Sequence, residues 1–374
     1  MAHRYGRIDT VAISELGHLA PRSTGASAQV LPVPASARAV AMWLLICCAL
    51  LLAMIIVGGV TRLTHSGLSI TEWQPIVGTV PPLSAADWND AFAKYRATPE
   101  YAQVNRGMSL EVFKGIFWWE YFHRLLGRAI GVVFLAPLAW FAARGRIPAG
   151  YAPRLLIIFV LGGAQGALGW YMVQSGLVDD PRVSQLRLTA HLGLAFLIFG
   201  ALLWTALSLL RQRADGSALP TTSLSRFAAG LVALVFLMVL SGGLVAGIRA
   251  GFAYNTFPLM NGRLVPPEIM LVDPWYQNFY NNMATVQFDH RIIALLLAVS
   301  IAAYWWRARR PDVVGAQAQR AATLLLVMLV IQLALGVATL LLVVPLPLAA
   351  AHQAGAGFLF AAALNAAHAA RTGS

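Results

Sequence analysis

One short stretch, Glu120 to Arg128, combines an acid, an imidazole and two guanidinium groups directly before an apolar run. A charge at the centre of a membrane helix costs about 2.5–3.5 kcal/mol, so such residues are usually functional. On a helix, Glu120 and His123 stand on one face, and Gly127 lies one turn beyond His123. We therefore expect a metal ligand and a proton-exchanging carboxylate next to space for a flat ligand.

Three further histidines, His191, His290 and His352, stand near the start of other apolar segments. One such histidine is often only a hydrogen-bonded residue of a helix interface, but four at matching positions favour ligation. Zinc and copper accept imidazole, yet no carboxylate or thiolate recurs with the histidines to complete a four-coordinate site. Two axial imidazoles suit a six-coordinate haem iron. Small residues expected to leave room for the macrocycle are Gly127, Gly193 and Gly355.

Arginines at the same ends of the apolar segments could form charged hydrogen bonds with haem propionates. They are Arg62, Arg124, Arg128, Arg249 and Arg291. For each arginine the alternative is that its side chain extends to the lipid headgroups.

Membrane helices are the elements that must position these residues. The 374-residue chain is 59% hydrophobic and 11% charged, whereas soluble domains are about 25% charged. Its long, continuously apolar runs predict helices and disfavour a β-barrel. The runs are 39–61, the run after Arg128, 155–178, 188–210, 227–248, 292–306 and 321–370, the last one divided by Pro345 and Pro347. The sequence therefore predicts an all-α integral membrane protein with eight transmembrane helices.

The eight predicted helices repeat as two units of four. His123 and His290 are 167 residues apart, Gln165 and Gln332 have the same offset, and His191 lies 161 residues before His352. We therefore expect two pseudo-symmetric four-helix bundles, each with two histidines at similar depth within the first turns of their helices. The predicted units are a disordered inner tail (1–37), an N-terminal bundle (38–210), a linker (211–225) and a C-terminal bundle (226–374).

The predicted bundles differ at one chemically important position. Glu120 stands three residues before His123, whereas Gln287 stands three before His290. A carboxylate can take up protons and an amide cannot, so the first half is predicted to carry out the chemistry and the second to transfer electrons. The alternative role for Glu120 is a salt bridge to Arg124 at i+4.

The net charge of +12 is explained by membrane topology rather than by nucleic-acid binding. With the N-terminus inside, the inner segments hold 15 basic residues and four acids, and the outer segments 12 and 11. This distribution satisfies the positive-inside rule. The adjacent Cys47 and Cys48 lie within the first apolar run and are expected to be packing residues.

Several motifs together resemble those of the haem A synthase family. They are Phe117–Arg128 (FWWEYFHRLLGR), Gly58–Ser69 (GGVTRLTHSGLS), Arg187–His191 (RLTAH), Tyr254–Met260 (YNTFPLM) and Thr285–Arg291 (TVQFDHR). Together with His352 they span nearly the whole apolar region. Cysteine pairs in the outer loops mark one subgroup of the family. They are absent here, so the chain resembles the other subgroup, found in proteobacteria and mitochondria.

The resemblance implies an enzyme that oxidises the C8 methyl of haem O to the formyl group of haem A, needed by terminal oxidases. It implies a resident haem b on His290 and His352, substrate haem O near His123 and His191, and Glu120 as the catalytic acidic residue. The N-terminal bundle would hold the substrate and the C-terminal bundle the resident haem. Our hypothesis is two successive oxidations of the methyl group.

The implied surroundings are a bacterial inner membrane, with both termini cytoplasmic and the haem sites toward the periplasm. The implied partners are haem O synthase as the supplier of haem O, an unidentified electron acceptor, the lipid bilayer and a second copy of the chain. Two other functions stay open at this point. A bis-histidine electron-transfer cytochrome explains the histidines but not the Glu120/Gln287 difference, and a duplicated transporter explains the repeat but not the histidines.

Overall fold

The computed structural model describes residues 34–74, 77–177, 181, 183–211, 222–310 and 315–372. Among them are eight long helices, with no strand, that are apolar enough to cross a membrane. They are α1 Ala35–Leu63, α4 Leu110–Ala143, α5 Ala152–Gly176, α6 Gln185–Leu210, α7 Ser223–Gly247, α9 Met283–Ala308, α10 Ala316–Leu341 and α11 Leu346–Thr372. Three short helices lie between them: α2 Ala85–Arg96, α3 Pro99–Gln103 and α8 Asn278–Asn281. The predicted all-helical membrane fold is confirmed.

Most of the predicted tail and linker lies outside the described residues, at 1–33 and 212–221. The helices that border them begin earlier than the predicted bundles. α1 begins at Ala35, and α7 begins at Ser223 with Thr222 as a capping-box residue. The Thr222 hydroxyl accepts a hydrogen bond from the Ser225 amide, which gives the helix a defined start.

Four helices form the centre of the molecule and four lie at its periphery. α1 packs on α6, α7 on α11, α6 on α7, and α1 on α11. α4 and α5 flank the first half of this centre, and α9 and α10 flank the second. One continuous apolar cluster runs through both halves. Cys47 and Cys48 are free and buried in that cluster, as expected for packing residues.

Helix α4 begins much earlier than the sequence indicated. It starts at Leu110, with Ser109 as its N-cap, so His123 lies in its fourth turn and not in the first turns as predicted. The reason is aromatic packing beyond the membrane run. Phe113, Phe117 and Tyr121 of α4 form a separate cluster with Tyr95 of α2. This cluster extends α4 to support the loop between α1 and α4.

The break between the last two helices lies where two prolines predicted it. α10 ends at Leu341, Val343 and Val344 adopt positive φ angles, and α11 starts at Leu346. Pro347 falls in the first turn of α11, where a missing amide hydrogen has no cost. The turn reverses the chain, so that α10 and α11 pack along each other.

Candidate haem-binding site

Each of the four histidines rests against a glycine of the preceding long helix. In the first half, a Cβ built on Gly58 of α1 would lie 2.8 Å from Cε1 of His123, and one on Gly169 of α5 would lie 3.0 Å from Cε1 of His191. The distance at Gly58 is shorter than real Cβ atoms show, and the distance at Gly169 is unusually tight, so an added side chain would push on both rings. His123 and His191 lie close enough for their charges to interact, so the two rings belong to one site.

The second half repeats this arrangement. A Cβ on Gly242 of α7 would lie 3.4 Å from Cε1 of His290, which is an ordinary contact, and one on Gly336 of α10 would lie 2.8 Å from Cε1 of His352, which is too short for a real Cβ atom. The charges of His290 and His352 also interact. All four histidines are only partly buried. The fold therefore offers two pairs of accessible imidazoles, one pair in each half.

These sites lie toward one end of the bundle. The glycines stand five to seven residues before the C-terminal ends of α1, α5, α7 and α10, at the end that carries segments 64–109 and 248–282. We call this the loop-rich end. Across the halves, Gln353 of α11 donates to the Ile55 carbonyl of α1. This contact fixes the helix of His352 against the helix that supports His123.

Two glutamines hold the backbone of His191 and His352, the histidines on the central helices α6 and α11. Gln165 Nε2 donates to the His191 carbonyl at 3.1 Å, and Gln332 Nε2 donates to the His352 carbonyl at 2.9 Å. The Oε1 atom of each glutamine is buried without a hydrogen-bond partner, as is Nδ1 of His191 and of His352. Unpartnered polar atoms beside accessible imidazoles are what a site lacking its ligand would display.

His123 and His290, the histidines on the peripheral helices α4 and α9, are held differently. Ser241 Oγ lies 2.8 Å from His290 Nδ1 and donates its own hydrogen to the Met238 carbonyl. The hydroxyl therefore accepts from Nδ1–H, which leaves Nε2 of His290 with a free lone pair for a metal. The residue equivalent to Ser241 in α1 is Val57. Nδ1 of His123 is accordingly buried without a partner.

Glu120 is at the centre of a closed network in the first half. Its Oε1 accepts from Arg124 Nη2 at 2.6 Å and Nε at 3.0 Å, which is the salt bridge named as the alternative role. Its Oε2 accepts from the Ser69 hydroxyl and the Ile70 amide, both at 2.7 Å. Arg124 also donates to the carbonyls of Ile70 and Glu72. Glu120 and Arg124 thus fasten the loop after α1 onto α4.

Gln287 and Arg291 fasten the corresponding loop of the second half. Gln287 Nε2 donates to the Ala250 carbonyl at 2.7 Å, and its Oε1 accepts from Arg291 Nη2 at 3.0 Å. Arg291 also donates to the carbonyls of Tyr254 and Thr256. The loop offers hydrogen-bond donors to Glu120 in the first half and an acceptor to Gln287 in the second.

The five arginines divide into two groups by the partners they already have. Arg124 and Arg291 are engaged as above, and Arg128 donates to the Gln74 carbonyl at 2.9 Å. Arg62 makes one long contact, 3.4 Å to the Gly247 carbonyl, and its buried Nε has no hydrogen-bond partner. Arg249 is exposed and lies 3.2 Å from His65 Nε2. Arg62 and Arg249 therefore have the most donor capacity left for an anionic ligand.

The glycines chosen from the sequence for macrocycle space have other neighbours. A Cβ on Gly127 would meet Met54, one on Gly193 would meet Leu240, and one on Gly355 would meet Gln332. These three glycines permit close side-chain packing between helices. No group of three or more His, Cys, Asp or Glu residues that could hold a metal ion by themselves occurs in the part of the chain that the structure describes.

Comparison with known proteins identifies the family of this chain. Residues 41–364 match the COX15-CtaA family, described as cytochrome oxidase assembly protein. The chain belongs to the COX15-CtaA family. Among its relatives, proteins named haem A synthase from Nitrosospira multiformis and Nitrosomonas eutropha are each 58% identical to it, over 87% of this chain and 92% of theirs. A protein of that name from Paracoccus denitrificans is 47% identical over 89% of this chain and 88% of its own.

In this COX15-CtaA chain the glycines that support the histidines and the Ser241 contact were not identified from the sequence. Gly58 and Gly242 belong to the Gly–Gly pairs that end α1 and α7, so a signal was present. Which side chain they face depends on how neighbouring helices pack. Ser241 could have been found from the repeat, because it replaces Val57 directly before the second Gly–Gly pair.

Proposed function

We propose that the chain is a haem A synthase, which oxidises the C8 methyl of haem O to the formyl group of haem A. Family membership and the printed names of the relatives support this activity. The observation that carries the proposal is the repeated pair of glycine-supported, accessible imidazoles. Two such pairs meet the need for one substrate haem, near His123 and His191, and one resident haem b, on His290 and His352.

The residues fit a haem in both halves. In each half two histidines would hold the haem iron, and glycines without side chains lie against their rings. When bound, the iron and porphyrin supply the oxidation chemistry, whereas the protein binds, orients and tunes them. Arg62 and Arg249 retain donor capacity for propionates, as described above. We propose that these two arginines bind propionates, and that Arg124, Arg128 and Arg291 contribute by shaping the loops.

The Ser241 contact supports placing the resident haem in the second half. A ligand whose second ring nitrogen is hydrogen-bonded keeps one tautomer and one orientation, which favours permanent binding. His290 has this arrangement through Ser241. His123 lacks it, so its ring can adjust while haem O enters and haem A leaves. The first half is therefore the exchanging site and the second the resident one.

Glu120 is proposed as the acidic residue of the reaction. It stands one turn before His123 on α4 and is almost fully buried, at 2% exposure. Its hydrogen bonds to Ser69 and Ile70 hold the loop over the first-half site. In this arrangement Glu120 both positions the loop and keeps a carboxylate beside the substrate. The carboxylate must release one of its donors before it can accept a proton.

The proposed setting is the bacterial inner membrane, with both termini in the cytoplasm and the haem sites toward the periplasm. Eight helices long and apolar enough to span support a multi-pass protein. The positive-inside distribution supports the orientation. Haem O synthase as the supplier of haem O, a separate electron acceptor and a homo-oligomer complete the proposal.

Haem extraction tests the function most directly. We expect membranes containing the full-length protein and supplied with haem O to yield haem A, and the purified protein to show a low-spin b-type spectrum. The His290→Ala variant should lose the b-type signal, and His123→Ala should keep it while producing no haem A. Recovery of haem B alone from the wild-type protein supplied with haem O would contradict the proposal and favour an electron-transfer cytochrome.

A further inference from the structure

A second buried acid of the first half has no role in the site described so far. Glu100 belongs to the short helix α3, in the loop between α1 and α4, and is 5% exposed. Its Oε2 has no hydrogen-bond partner in the described structure. A buried carboxylate without a partner is costly. The side chain must therefore carry a proton or interact with a ligand or charge not yet accounted for.

The loop backbone holds Glu100 firmly in this position. Thr98 caps α3, accepting from the Tyr101 amide and donating to the Tyr95 carbonyl. The Glu100 carbonyl accepts from the amides of Val104 and Asn105. Asn105 in turn donates to the Tyr95 hydroxyl at 2.7 Å. These contacts fix the backbone on both sides of Glu100 and keep its side chain buried, at 5% exposure.

The charged and titratable groups that act on Glu100 come from three helices. They are Arg62 from α1, Glu120 from α4 and Tyr95 from α2. Burial, together with the nearby negative charge of Glu120, raises the pKa of Glu100 to about 8, and Arg62 opposes this increase. The carboxyl is thus neutral but close to its titration point at physiological pH.

Two carboxyls with different hydrogen bonding thus lie close enough to interact electrostatically. Glu120 is ion-paired with Arg124 and accepts four hydrogen bonds. Glu100 has a buried oxygen with no hydrogen-bond partner, and its pKa is raised to about 8. A group that titrates near the working pH is the better proton exchanger. Pairs of acids with separated states commonly divide proton-transfer and electrostatic roles between them.

The corresponding acid of the other half is arranged in the opposite way. Glu268 precedes His290 by 22 residues, much as Glu100 precedes His123 by 23. It is exposed, and its Oε2 accepts from the Tyr254 hydroxyl at 2.7 Å. That hydrogen bond lowers the pKa of Glu268. The buried, unpartnered acid is therefore a feature of the first half, where the chemistry is proposed.

We propose that Glu100 is a second carboxyl of the first-half site, which releases its Oε2 proton to water outside the loop and then takes up a proton from the site beside Glu120 and Arg62. This role rests on the proposed function, since oxidation of a methyl group releases protons that need an acceptor. The step is a proton transfer alone. The Oε2–H bond forms when the site loses a proton and breaks when water takes it, and no electron moves. Glu100 acts through Glu120 and Arg62, as a positioning residue, without touching haem.

Infrared titration of the purified full-length protein tests the proton on Glu100 without any turnover. The wild-type protein should show the carbonyl-stretch band of a protonated carboxyl that disappears with a midpoint near pH 8. Glu100→Gln should abolish this titrating band, and the matched variant Glu268→Gln should retain it. Absence of the band from the wild-type protein, or its persistence in Glu100→Gln, would overturn the proposal.

The pH profile of haem A formation tests the role itself. Glu100→Gln should reduce the rate of haem A formation at least about tenfold. Direct acid–base groups contribute about 100- to 10,000-fold, and a residue that acts through others should contribute less. The variant should also remove the inflection near pH 8 while leaving the haem spectrum unchanged, and Glu100→Asp should restore part of both. If wild type and Glu100→Gln have the same profile, Glu100 is only a structural residue. If the wild type makes no haem A at any pH, the proposed function fails instead. Should Glu100→Gln not accumulate, the wild-type infrared titration decides.

Discussion

The two halves of the molecule fasten equivalent loops with opposite hydrogen-bonding polarity. In the first half, Glu120 accepts from Ser69 and Ile70, whereas in the second half Gln287 donates to the Ala250 carbonyl. Both are linked to an arginine four residues later, which donates to carbonyls of the same loop. The same architecture therefore surrounds a negative charge on one side and a neutral amide on the other.

The two halves also differ in how firmly the histidine of the peripheral helix is held. His290 is held by Ser241, whereas His123 has no partner on Nδ1. The half with the carboxylate thus has the adjustable ligand, and the half with the amide has the fixed one. A duplicated bundle can separate an exchanging site from a permanent one in this way by changing two residues, without altering the helices.

The largest effect should come from filling the space at the glycines that support the histidines. Gly336→Ala places a Cβ 2.8 Å from the His352 ring and should displace it, with loss of most of the resident haem. Gly58→Ala should do the same to His123 and abolish haem A formation while the resident haem stays bound. Haem content per protein, measured from the absorption spectrum, separates the two outcomes.

Gly163→Ala in α5 is the matched control for these variants. No atom lies within 4 Å of a Cβ at this position. Alanine is about 1 kcal/mol more favourable than glycine in a helix interior, so this variant should keep its haem and be no less stable than the wild type. Full haem occupancy in both Gly58→Ala and Gly336→Ala would show that the supporting glycines do not limit ligand geometry.

The next effect concerns the polarity of the loop contacts. Glu120→Gln removes one partner of a buried ion pair whose side chains are 3% and 11% exposed. Such a loss costs about 3–5 kcal/mol, so Tm should fall, the loop after α1 should become sensitive to protease, and haem A formation should stop. Gln287→Glu is the reciprocal variant: its carboxylate would face the Ala250 carbonyl. It should loosen only the second loop. If Glu120→Gln and Gln287→Glu have the same effects on Tm, protease sensitivity and haem A formation, the proposed distinction between the halves is wrong.

The repeat was readable from the sequence because histidines and glutamines recur at fixed offsets. The i+4 contact of Glu120 with Arg124 was likewise readable, because spacing on a helix determines it. Ser69 and Ile70 were not identified as partners, since a contact across 50 residues depends on how the loop folds. The predicted position of His123 within its helix was wrong because the aromatic cluster around Tyr95 extends α4 beyond its apolar run. Glu100 was one of six acids between Gly67 and His123, and only the capped turn of α3 distinguishes it.

A smaller effect should follow from removing the fixed orientation of His290. Ser241→Ala leaves Nδ1 of His290 without an acceptor. Loss of such an outer contact typically lowers metal affinity about 10–100-fold, so resident haem should dissociate faster and its midpoint potential should shift. The reciprocal variant Val57→Ser should slow exchange of haem at His123. Apomyoglobin capture of released haem measures both rates, and equal rates in wild type and Ser241→Ala would contradict the assignment of the fixed ligand.

The smallest effect is a difference in how pH changes stability through the two loops. Glu100 has an ordinary pKa of 4.5 when unfolded and a pKa of about 8 when folded, so folding takes up a proton between these values. Wild-type stability should therefore fall as pH rises through this window, by at most about 1.4 kcal/mol per pH unit. Glu100→Gln should flatten that slope.

Glu268 should contribute with the opposite sign in the second loop. Its pKa is lowered in the folded state, so the stability it provides is present above its ordinary pKa and is lost as pH falls. Glu268→Gln should then be less stable than the wild type at neutral pH and converge with it at acidic pH, whereas Glu100→Gln should gain most relative to the wild type at and above pH 8. Thermal unfolding across pH, with the two variants side by side, compares the loops directly. Parallel curves for both variants would mean that Glu100 is not buried as an acid in the folded protein, and that the first loop has no special proton-holding group.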